Sequence, residues 1–312
     1  MRQTRRVARV IVVGAGVVGL SCAVRLLEAG HQVDVVARDL PLETTSAVAA
    51  ALWYPYRALP FARVTAWSRR TYVALEALAA DDADTGVRML PGTELHRSRT
   101  PDPWWREGVP HLTRVGAVAP PYVDGWSFTA PVLDMPVYLR WLVARLASLG
   151  GTLTRMALPA LPDRADVVVN ATGLGARRMA EDPSLFPVRG QVVVVEQAGI
   201  DRWWLDSSGP VYVVPRLREV VVGGTDDEGD WSRRPDAAVA RDVLARATRL
   251  VPQLAGARVL RHAVGLRPGR PEVRLEAETV GGTRVVHCYG HGGAGVTLSW
   301  GCADEVVDLA QG

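Results

Sequence analysis

A glycine-rich turn near the start of the chain constrains the fold more than any other feature. Residues 7–13 form a largely apolar run, as expected for a strand buried on both faces of a sheet. Gly14, Gly16 and Gly19 follow with the spacing GxGxxG. Residues 17–29 then carry apolar side chains at helical spacing and end at a glycine. Between a strand and a helix, such glycines allow a tight turn, close approach of a pyrophosphate and close helix packing, so the pattern predicts a dinucleotide site.

The residues at the end of the second strand do not identify which dinucleotide cofactor binds. Residues 33–36 complete a βαβ unit of about thirty residues. The position that usually holds a ribose-binding acid is Ala37. Asp39 could accept a hydrogen bond from a ribose hydroxyl, whereas Arg38 could pair with the extra phosphate of NADP. Both interpretations stay open on this motif alone.

The rest of the chain alternates helices with strands in separated blocks, and strand-rich segments fill the gaps between them. The patterns predict helices over 61–80, 134–149, 236–250 and 295–309, and strands over 167–170, 191–196, 211–214, 220–222 and 285–289. We therefore expect an α/β fold with two domains. A Rossmann-like cofactor-binding domain would be assembled from residues 1–60, 130–190 and 262–312, and a β-rich (α+β) substrate-binding domain from residues 61–129 and 191–261.

Composition excludes several classes of protein. With 48% hydrophobic residues, 22% charged residues and a net charge of +3 over 312 residues, the chain is that of a globular protein and gives no reason to expect nucleic acid. No stretch is apolar and long enough to span a membrane. Arg2, Arg5 and Arg6 precede an apolar run, which mimics a secretory signal, but spaced glycines and the lack of a cleavage site favour a buried strand. We expect a cytoplasmic protein.

The cysteines and the basic residues give little information about fold or function. Cys22, Cys288 and Cys302 have no metal-ligand spacing and form no disulfide framework, so we predict no metal site and leave one disulfide open. The basic residues are all arginine. Codon bias in a GC-rich bacterial genome and thermal adaptation both remain open as explanations.

A second glycine-rich loop lies between the last predicted strand and the last predicted helix. Residues 290–295 read Gly-His-Gly-Gly-Ala-Gly, and the chain ends before a strand could complete another βαβ unit. A helix N-terminus attracts negative charge, and a reduced flavin carries such charge at one edge of its ring. We therefore interpret this loop as the seat of a flavin, with Thr297 able to add a hydrogen bond. An ordinary glycine-rich turn is the alternative.

Two residues are candidates for binding a substrate. Arg267 stands in a rigid segment of glycines and prolines that suits bidentate capture of a carboxylate, although such an arginine is more often a surface ion-pair residue. Tyr212 stands in an apolar strand, where a tyrosine is more often part of the core.

At this point several motifs resemble those of the D-amino acid oxidases, in order over nearly the whole chain. They are VGAGVVGLS at 13–21, TTS at 44–46, AAALWYPY at 49–56, RGQ at 189–191, GGT at 223–225, GLRPGRP at 265–271, YGHGG at 289–293 with Gly295, and SWGCA at 299–303. The last two are specific to that family. The run 37–41 matches a variant seen in yeast members, which weakens the NADP interpretation of Arg38.

The resemblance implies an FAD-dependent oxidase of D-amino acids, with dioxygen as electron acceptor and often a homodimer. Arg267 and the Tyr212 hydroxyl would bind the substrate carboxylate, and the Gly293 carbonyl would hold the amino group. The D-enantiomer would then lose its Cα hydrogen as hydride to flavin N5, giving an imine that hydrolyses to a 2-oxo acid and ammonia, and hydrogen peroxide on reoxidation. Contacts with FAD are implied for Gly14, Gly16, Val17, Val18, Gly19, Arg38, Asp39, Thr44, Thr45, Ser46, Ala50, Ala51, Leu52, Met156, Thr172, Gly292, Gly293, Ala294, Gly295, Val296 and Thr297.

Three positions depart from the pattern of the family. A second active-site tyrosine is replaced by Ser208, so a lid built on it would be missing. Asp226 follows the GGT motif where relatives have larger or uncharged residues. It would disfavour acidic substrates and favour basic ones if it faces the pocket, and would have no effect if it faces water. Tyr54 stands where a mammalian-type relative has glutamine.

Four other functions would explain parts of the sequence. A glycine or sarcosine oxidase shares the fold but fits the C-terminal motif less well. A D-aspartate oxidase would need an added arginine that the matching segments do not contain. An NAD(P)-dependent dehydrogenase would explain the first glycine turn but not the second. A non-catalytic flavin-binding protein would be expected to lack Arg267 or Tyr212, and both are present.

Overall fold

The computed structural model describes residues 7–81, 83–116 and 119–311, which form two β-sheets with helices packed on both. Arg2, Arg5 and Arg6 lie outside the described residues. The strands are β1 (Arg9–Val13), β2 (Gln32–Ala37), β3 (Val87–His96), β4 (Thr113–Arg114), β5 (Asp124–Leu133), β6 (Thr152–Arg155), β7 (Val167–Asn170), β8 (Phe186–Glu196), β9 (Trp203–Asp206), β10 (Val211–Pro215), β11 (Glu219–Gly223), β12 (Asp227–Glu228), β13 (Val259–Gly269), β14 (Arg274–Val280) and β15 (Thr283–Tyr289). The helices are α1 (Val17–Glu28), α2 (Thr45–Val48), α3 (Phe61–Asp81), α4 (Met135–Ser148), α5 (Ala176–Met179), α6 (Ala237–Leu250) and α7 (Gly295–Gln311).

The first sheet has six strands in the order β14-β15-β7-β1-β2-β6. All its neighbouring pairs are parallel except β14 with β15. Its central strands are apolar because helices cover the sheet, and Val10 and Val12 of β1 are fully buried. The carboxyl ends of β1 and β15 therefore lie on one edge, where both glycine-rich turns begin.

The second sheet has nine strands in the order β12-β8-β11-β10-β9-β3-β5-β4, with β13 also paired to β8. Its pairs are antiparallel except β3 with β9. One face carries α6, whose N-terminus is capped by the Asp236 carboxylate through the backbone N–H groups of Ala238 and Val239. The other face is turned toward the cofactor edge of the first sheet.

Helix α7 packs closely on both α1 and α3 through small residues and tryptophans. A side chain on Gly301 of α7 would overlap the backbone of Trp67 in α3. Trp300 donates a hydrogen bond from Nε1 to the Tyr138 hydroxyl of α4, 2.8 Å away in the core. The buried residues of these helices and of the first sheet form the largest hydrophobic cluster of the described chain.

The α/β fold is confirmed, and the predicted elements agree with the structure to within a few residues. The strands β6, β9, β12, β13 and β14 were not predicted, and charged residues interrupt the apolar pattern of β13 and β14. The division into domains stays a prediction. Its boundary at residue 262 falls inside β13 of the second sheet, and α3, predicted for the substrate-binding domain, packs on α7. Within the described ranges, no helix is long and apolar enough to cross a membrane.

Candidate active site

One cavity of about 1160 Å³ runs between the two sheets and joins both glycine-rich turns to Arg267 and Tyr212. Most of the residues predicted to bind cofactor or substrate line this cavity. The exceptions are Gly19, Ala294 and Thr297, which lie behind the wall. The fold thus brings together residues from the start, the middle and the end of the chain.

The first glycine turn leaves room for a phosphate at the start of α1. Gly14 has a φ of +114°, a left-handed conformation that favours glycine, and its N–H donates to the Val36 carbonyl oxygen at 2.9 Å. A side chain on Gly19 would overlap the Gly14 carbonyl oxygen, so this glycine allows the helix to pack on the turn. The Val17 N–H at the helix start donates to Ser46 Oγ at 3.0 Å. These residues fit the pyrophosphate of FAD, because bare backbone and a hydroxyl meet at a helix N-terminus.

Arg38 and Asp39 form an ion pair with each other at the ribose end of the cavity. Arg38 donates from Nε and Nη2 to the Asp39 carboxylate, at 3.0 and 2.6 Å. The hydrogen bond from Arg38 lowers the pKa of Asp39, which keeps the carboxylate charged as an acceptor for a hydroxyl. A second phosphate beside Arg38 would also lie beside this carboxylate, so the geometry favours FAD over NADP.

The second glycine turn lies against the segment that follows β13. The Gly292 N–H donates to the Pro268 carbonyl oxygen at 2.9 Å, and φ of Gly292 is +54°. A side chain on Gly293 would stand 2.5 Å from Cδ1 of Tyr56 and 3.5 Å from Cδ of Arg267. The loop therefore brings a bare backbone position next to the candidate substrate residues.

Thr297 is engaged with the neighbouring loop. Its Oγ1 accepts a hydrogen bond from the Tyr54 N–H at 3.0 Å and donates to the Tyr54 carbonyl oxygen at 2.9 Å. The hydroxyl is thus satisfied within the protein, and it fixes the segment that carries Tyr54 and Tyr56 into the cavity.

Arg267 lies over a strand position that has no side chain. A Cβ on Gly190 of β8 would stand 2.5 Å from the guanidinium carbon of Arg267. Nη1 of Arg267 donates to the Thr225 carbonyl oxygen at 2.9 Å. Thr225 is in turn fixed to β8, because its Oγ1 accepts from the Gln191 N–H at 3.1 Å and donates to the Arg189 carbonyl oxygen at 3.2 Å. The guanidinium group is therefore held in one orientation.

Tyr212 leans across β11 toward the same place. Its ring covers Gly223, directly opposite on the neighbouring strand, and a Cβ on Gly224 would stand 3.0 Å from the Tyr212 hydroxyl oxygen. The RGQ and GGT motifs therefore have a common physical reason. Their glycines leave the space in which the arginine and tyrosine side chains converge.

Asp226 and Ser208 also line this end of the cavity. Tyr56 donates from its hydroxyl to Oδ2 of Asp226 at 2.9 Å, and Nη1 of Arg57 is 3.6 Å from the same atom. Burial and the bond to Asp226 raise the pKa of Tyr56 to about 12. Ser208 donates from its N–H and its hydroxyl to Asp206 in the turn after β9. Asp226 thus faces the cavity, with a cation beside it.

Sequence reasoning missed several residues of the cavity wall. Tyr56, Glu94, Trp231 and Arg233 all line it, and none was singled out. For Tyr56 a signal existed, since it ends the AAALWYPY motif. Glu94 had only the weak signal of an acidic residue inside a strand, and its neighbours in space come from distant parts of the chain.

The three cysteines meet behind the second glycine turn, although they are far apart in the chain. All three are buried and free. Sγ of Cys288 is 3.9 Å from Nε2 of His291, and the ligand atoms of Cys288, His291 and Cys302 lie within 4.8 Å of one another. Burial lowers the pKa of His291 to about 4, so its imidazole is neutral at pH 7.

A dinucleotide turn on a parallel sheet, opening into a cavity that ends at an arginine and a tyrosine, defines a two-sheet flavoprotein oxidoreductase. The chain belongs to the family of FAD-dependent oxidoreductases, whose family model matches residues 9–309. Its cofactor is FAD. It is 52% identical to the D-amino-acid oxidase of Rubrobacter xylanophilus, over 98% of this chain and 97% of the relative. It is 45% identical to the D-amino-acid oxidase of Streptomyces coelicolor, over 98% of each chain. Among solved structures, glycine oxidase from Geobacillus kaustophilus matches with a TM-score of 0.82 at 21% identity, over 97% of this chain and 95% of that one.

Proposed function

We propose that the protein oxidises D-amino acids to 2-oxo acids, ammonia and hydrogen peroxide, with dioxygen as the electron acceptor. The observation that carries the proposal is the convergence of Arg267 and Tyr212 over the glycines of β8 and β11, at the end of the cavity that begins at the dinucleotide turn. The high identity to bacterial D-amino-acid oxidases supports it.

In this proposal the chain contributes binding and orientation. The Arg267 guanidinium, held by the Thr225 carbonyl, and the Tyr212 hydroxyl donate to the substrate carboxylate. The Gly293 carbonyl oxygen accepts from the substrate amine. Two fixed anchors leave only one orientation for the Cα hydrogen of a D-enantiomer, whereas an L-enantiomer on the same anchors exchanges its hydrogen with its side chain. Bound FAD supplies the two-electron acceptor.

The Tyr56 hydroxyl near the anchors does not act as a general base. Burial and the bond to Asp226 raise the pKa of Tyr56 to about 12, so its hydroxyl stays protonated at neutral pH. We infer that the amine enters uncharged and that the protein accelerates the reaction mainly by orientation and electrostatics.

A glycine or sarcosine oxidase is the alternative function. Glycine has no side chain, and the cavity continues from Arg267 and Tyr212 past Leu205 to Glu94. This space supports substrates with longer side chains. The likeness to glycine oxidase at 21% identity concerns the fold.

A peroxide-coupled assay across D- and L-amino acids, glycine and sarcosine tests the proposal. We expect a yellow protein that forms peroxide with D-amino acids and not with their L-enantiomers. Faster turnover of glycine or sarcosine than of every D-amino acid would establish the alternative. A colourless protein that reduces a nicotinamide would contradict both. A homodimer and a cytoplasmic location stay predictions.

A further inference from the structure

Glu94 faces the substrate end of the cavity from a strand that sequence reasoning did not connect with the site. The register of the second sheet puts Gly223, Tyr212, Leu205 and Glu94 side by side on four neighbouring strands. Directly opposed residues point to the same face of a sheet. Tyr212, Leu205 and Glu94 accordingly line the same cavity, and Glu94 is buried with 6% of its surface exposed.

The Glu94 carboxylate differs from the two other carboxylates at this end of the cavity. Asp206 is 3.2 Å from Nη2 of Arg97, and Asp226 is 3.6 Å from Nη1 of Arg57. In the ranges that the structure describes, the basic group within 4.0 Å of Glu94 is His96, whose Nε2 is 3.8 Å away. Burial lowers the pKa of His96, so its ring is neutral at pH 7.

Among the residues that the structure describes, Tyr54 supports the Glu94 carboxylate with a hydrogen bond. The Tyr54 hydroxyl donates to Oε1 at 2.8 Å, and Tyr54 is itself fixed by Thr297 through its backbone. Burial raises the pKa of Glu94 to about 7, although the bond from Tyr54 lowers it. The opposed positions on the strands beside it, Leu205 and Trp126, carry no charge. A buried carboxylate without a cation is costly, and a cationic ligand would stabilise it.

The separation of the strands leaves room for a long side chain between the Tyr212 end of the cavity and Glu94. The Tyr212 ring covers Gly223, and three strand spacings of about 4.8 Å separate the strand of Gly223 from that of Glu94, about 14 Å in all. An extended lysine or arginine spans about 8 Å from its carboxylate to its terminal nitrogen, and two hydrogen bonds of about 3 Å complete the same length.

We propose that Glu94, held by Tyr54, is a binding site for the cationic end of the substrate side chain, so that the cavity selects D-amino acids ending in a guanidinium or ammonium group. The inference rests on the proposed function and names its substrate class. Arg267 binds one end of such a substrate and Glu94 the other. D-Aspartate and D-glutamate do not gain this contact, because their second carboxylate carries the same charge as Glu94.

D-Arginine and D-citrulline provide the test, because they have nearly the same shape and differ in charge. The measurement is the ratio of kcat/KM for D-arginine to that for D-citrulline in the FAD-loaded enzyme. We expect the ratio to be well above one and to fall about tenfold to hundredfold in Glu94→Gln, which loses one charged hydrogen bond. Glu76→Gln on the exposed face of α3 is the matched control and should leave the ratio unchanged. A ratio of one or below, or one that Glu94→Gln does not change, overturns the proposal.

A second measurement on the unmodified enzyme covers the case in which Glu94→Gln does not fold. The ratio should rise up to about tenfold between pH 6 and pH 8, because only the ionised carboxylate attracts the guanidinium and its pKa is about 7. The amino-acid head group is common to both substrates and cancels. A ratio that stays at or below one across this range contradicts the proposal.

A failure of the proposed function would give a different result from a failure of the Glu94 subsite. If no D-amino acid is oxidised, the subsite can still be tested by binding δ-guanidinovalerate, an arginine analogue without the amino group, against valerate. The change in the visible spectrum of bound FAD reports binding. If δ-guanidinovalerate binds more tightly than valerate and this difference is lost in Glu94→Gln, the subsite is supported. Equal binding of both acids overturns it.

Discussion

The guanidinium group of Arg267 occupies the space that a side chain on Gly190 would need. The two residues do not face each other across the pair of β8 and β13, since Arg267 is paired with Val188 and Gly190 with Gly265. The arginine nevertheless leans along β8 until its guanidinium carbon is 2.5 Å from where a Cβ on Gly190 would stand. The glycine of the RGQ motif thus affects the substrate site because its lack of a side chain leaves room for Arg267.

Gly190→Ala should therefore displace Arg267 and weaken substrate binding. We expect kcat/KM for a D-amino acid to fall by about tenfold to hundredfold, mainly through KM, with FAD still bound. Gly116→Ala is the control, because Gly116 is exposed and no other atom lies within 4 Å of the added Cβ. Steady-state kinetics and the flavin-to-protein absorbance ratio measure both effects. Unchanged kinetics in Gly190→Ala would show that Arg267 does not need this space.

Arg267→Ala tests the carboxylate anchor directly. Loss of a charged hydrogen-bonding partner should raise the activation free energy that corresponds to kcat/KM by about 2–4 kcal/mol, while FAD stays bound. Arg267→Lys keeps the charge but loses the bidentate geometry, so it should recover only part of this loss. Arg249→Ala on the exposed face of α6 serves as control. A KM that does not change in Arg267→Ala rules out the anchor.

Thr297→Val separates two roles for this hydroxyl. The structure engages Oγ1 with the backbone of Tyr54, so its loss should reduce the free energy of unfolding by about 1–3 kcal/mol, since two partly buried backbone groups lose a partner. The flavin spectrum should change little. Thr248→Val, on a hydroxyl bonded within α6, should cost less than 1 kcal/mol. A large spectral shift at constant stability would instead favour the hydrogen bond to the flavin expected from the sequence.

Asp182 should make stability depend on pH. Burial opposes its ionisation, but bonds from Ser184, Arg270 and Tyr289 lower the pKa of this carboxyl to about 2. The folded pKa lies below the unfolded value, so the stabilisation is present above about pH 4 and is lost as the pH falls toward 2. We expect Asp182→Asn to reduce the free energy of unfolding by about 2 kcal/mol at pH 7 and by less at pH 3.

Denaturant unfolding at the two pH values measures this difference. Asp242→Asn, which removes an exposed ion pair with Arg246 on α6, should change stability by less than 1 kcal/mol at either pH. If the difference between Asp182→Asn and the unmodified protein is the same at pH 7 and pH 3, the linkage is wrong.

The parts of the fold that depend on local pattern could be predicted from the sequence. The first βαβ unit, the amphipathic helices and both glycine turns depend on neighbouring residues, and the structure has them within a few positions. The resemblance to a known family then located Arg267 and Tyr212, which local pattern alone assigned to the surface and the core.

The wall around the anchors could not be predicted, because it depends on the pairing of distant strands. Glu94 comes beside Leu205 through the parallel pair of β3 and β9, and no local pattern encodes that register. The role of the glycines in the RGQ and GGT motifs could not be predicted for the same reason. Their function becomes visible only when the side chains that occupy their space are in place.

The burial of the cysteines has a consequence for the lifetime of the catalyst. A hydrogen bond to Cys288 and burial raise the pKa of Cys22. The bond to Cys22 lowers the pKa of Cys288, but a bond to Cys302 and burial raise it overall, and burial raises that of Cys302. Peroxide attacks the thiolate, not the thiol. Under the proposed function each turnover releases peroxide into the cavity that Cys288 lines, and the raised pKa keeps this sulfur in the less reactive thiol form, which slows oxidation of the enzyme by its own product.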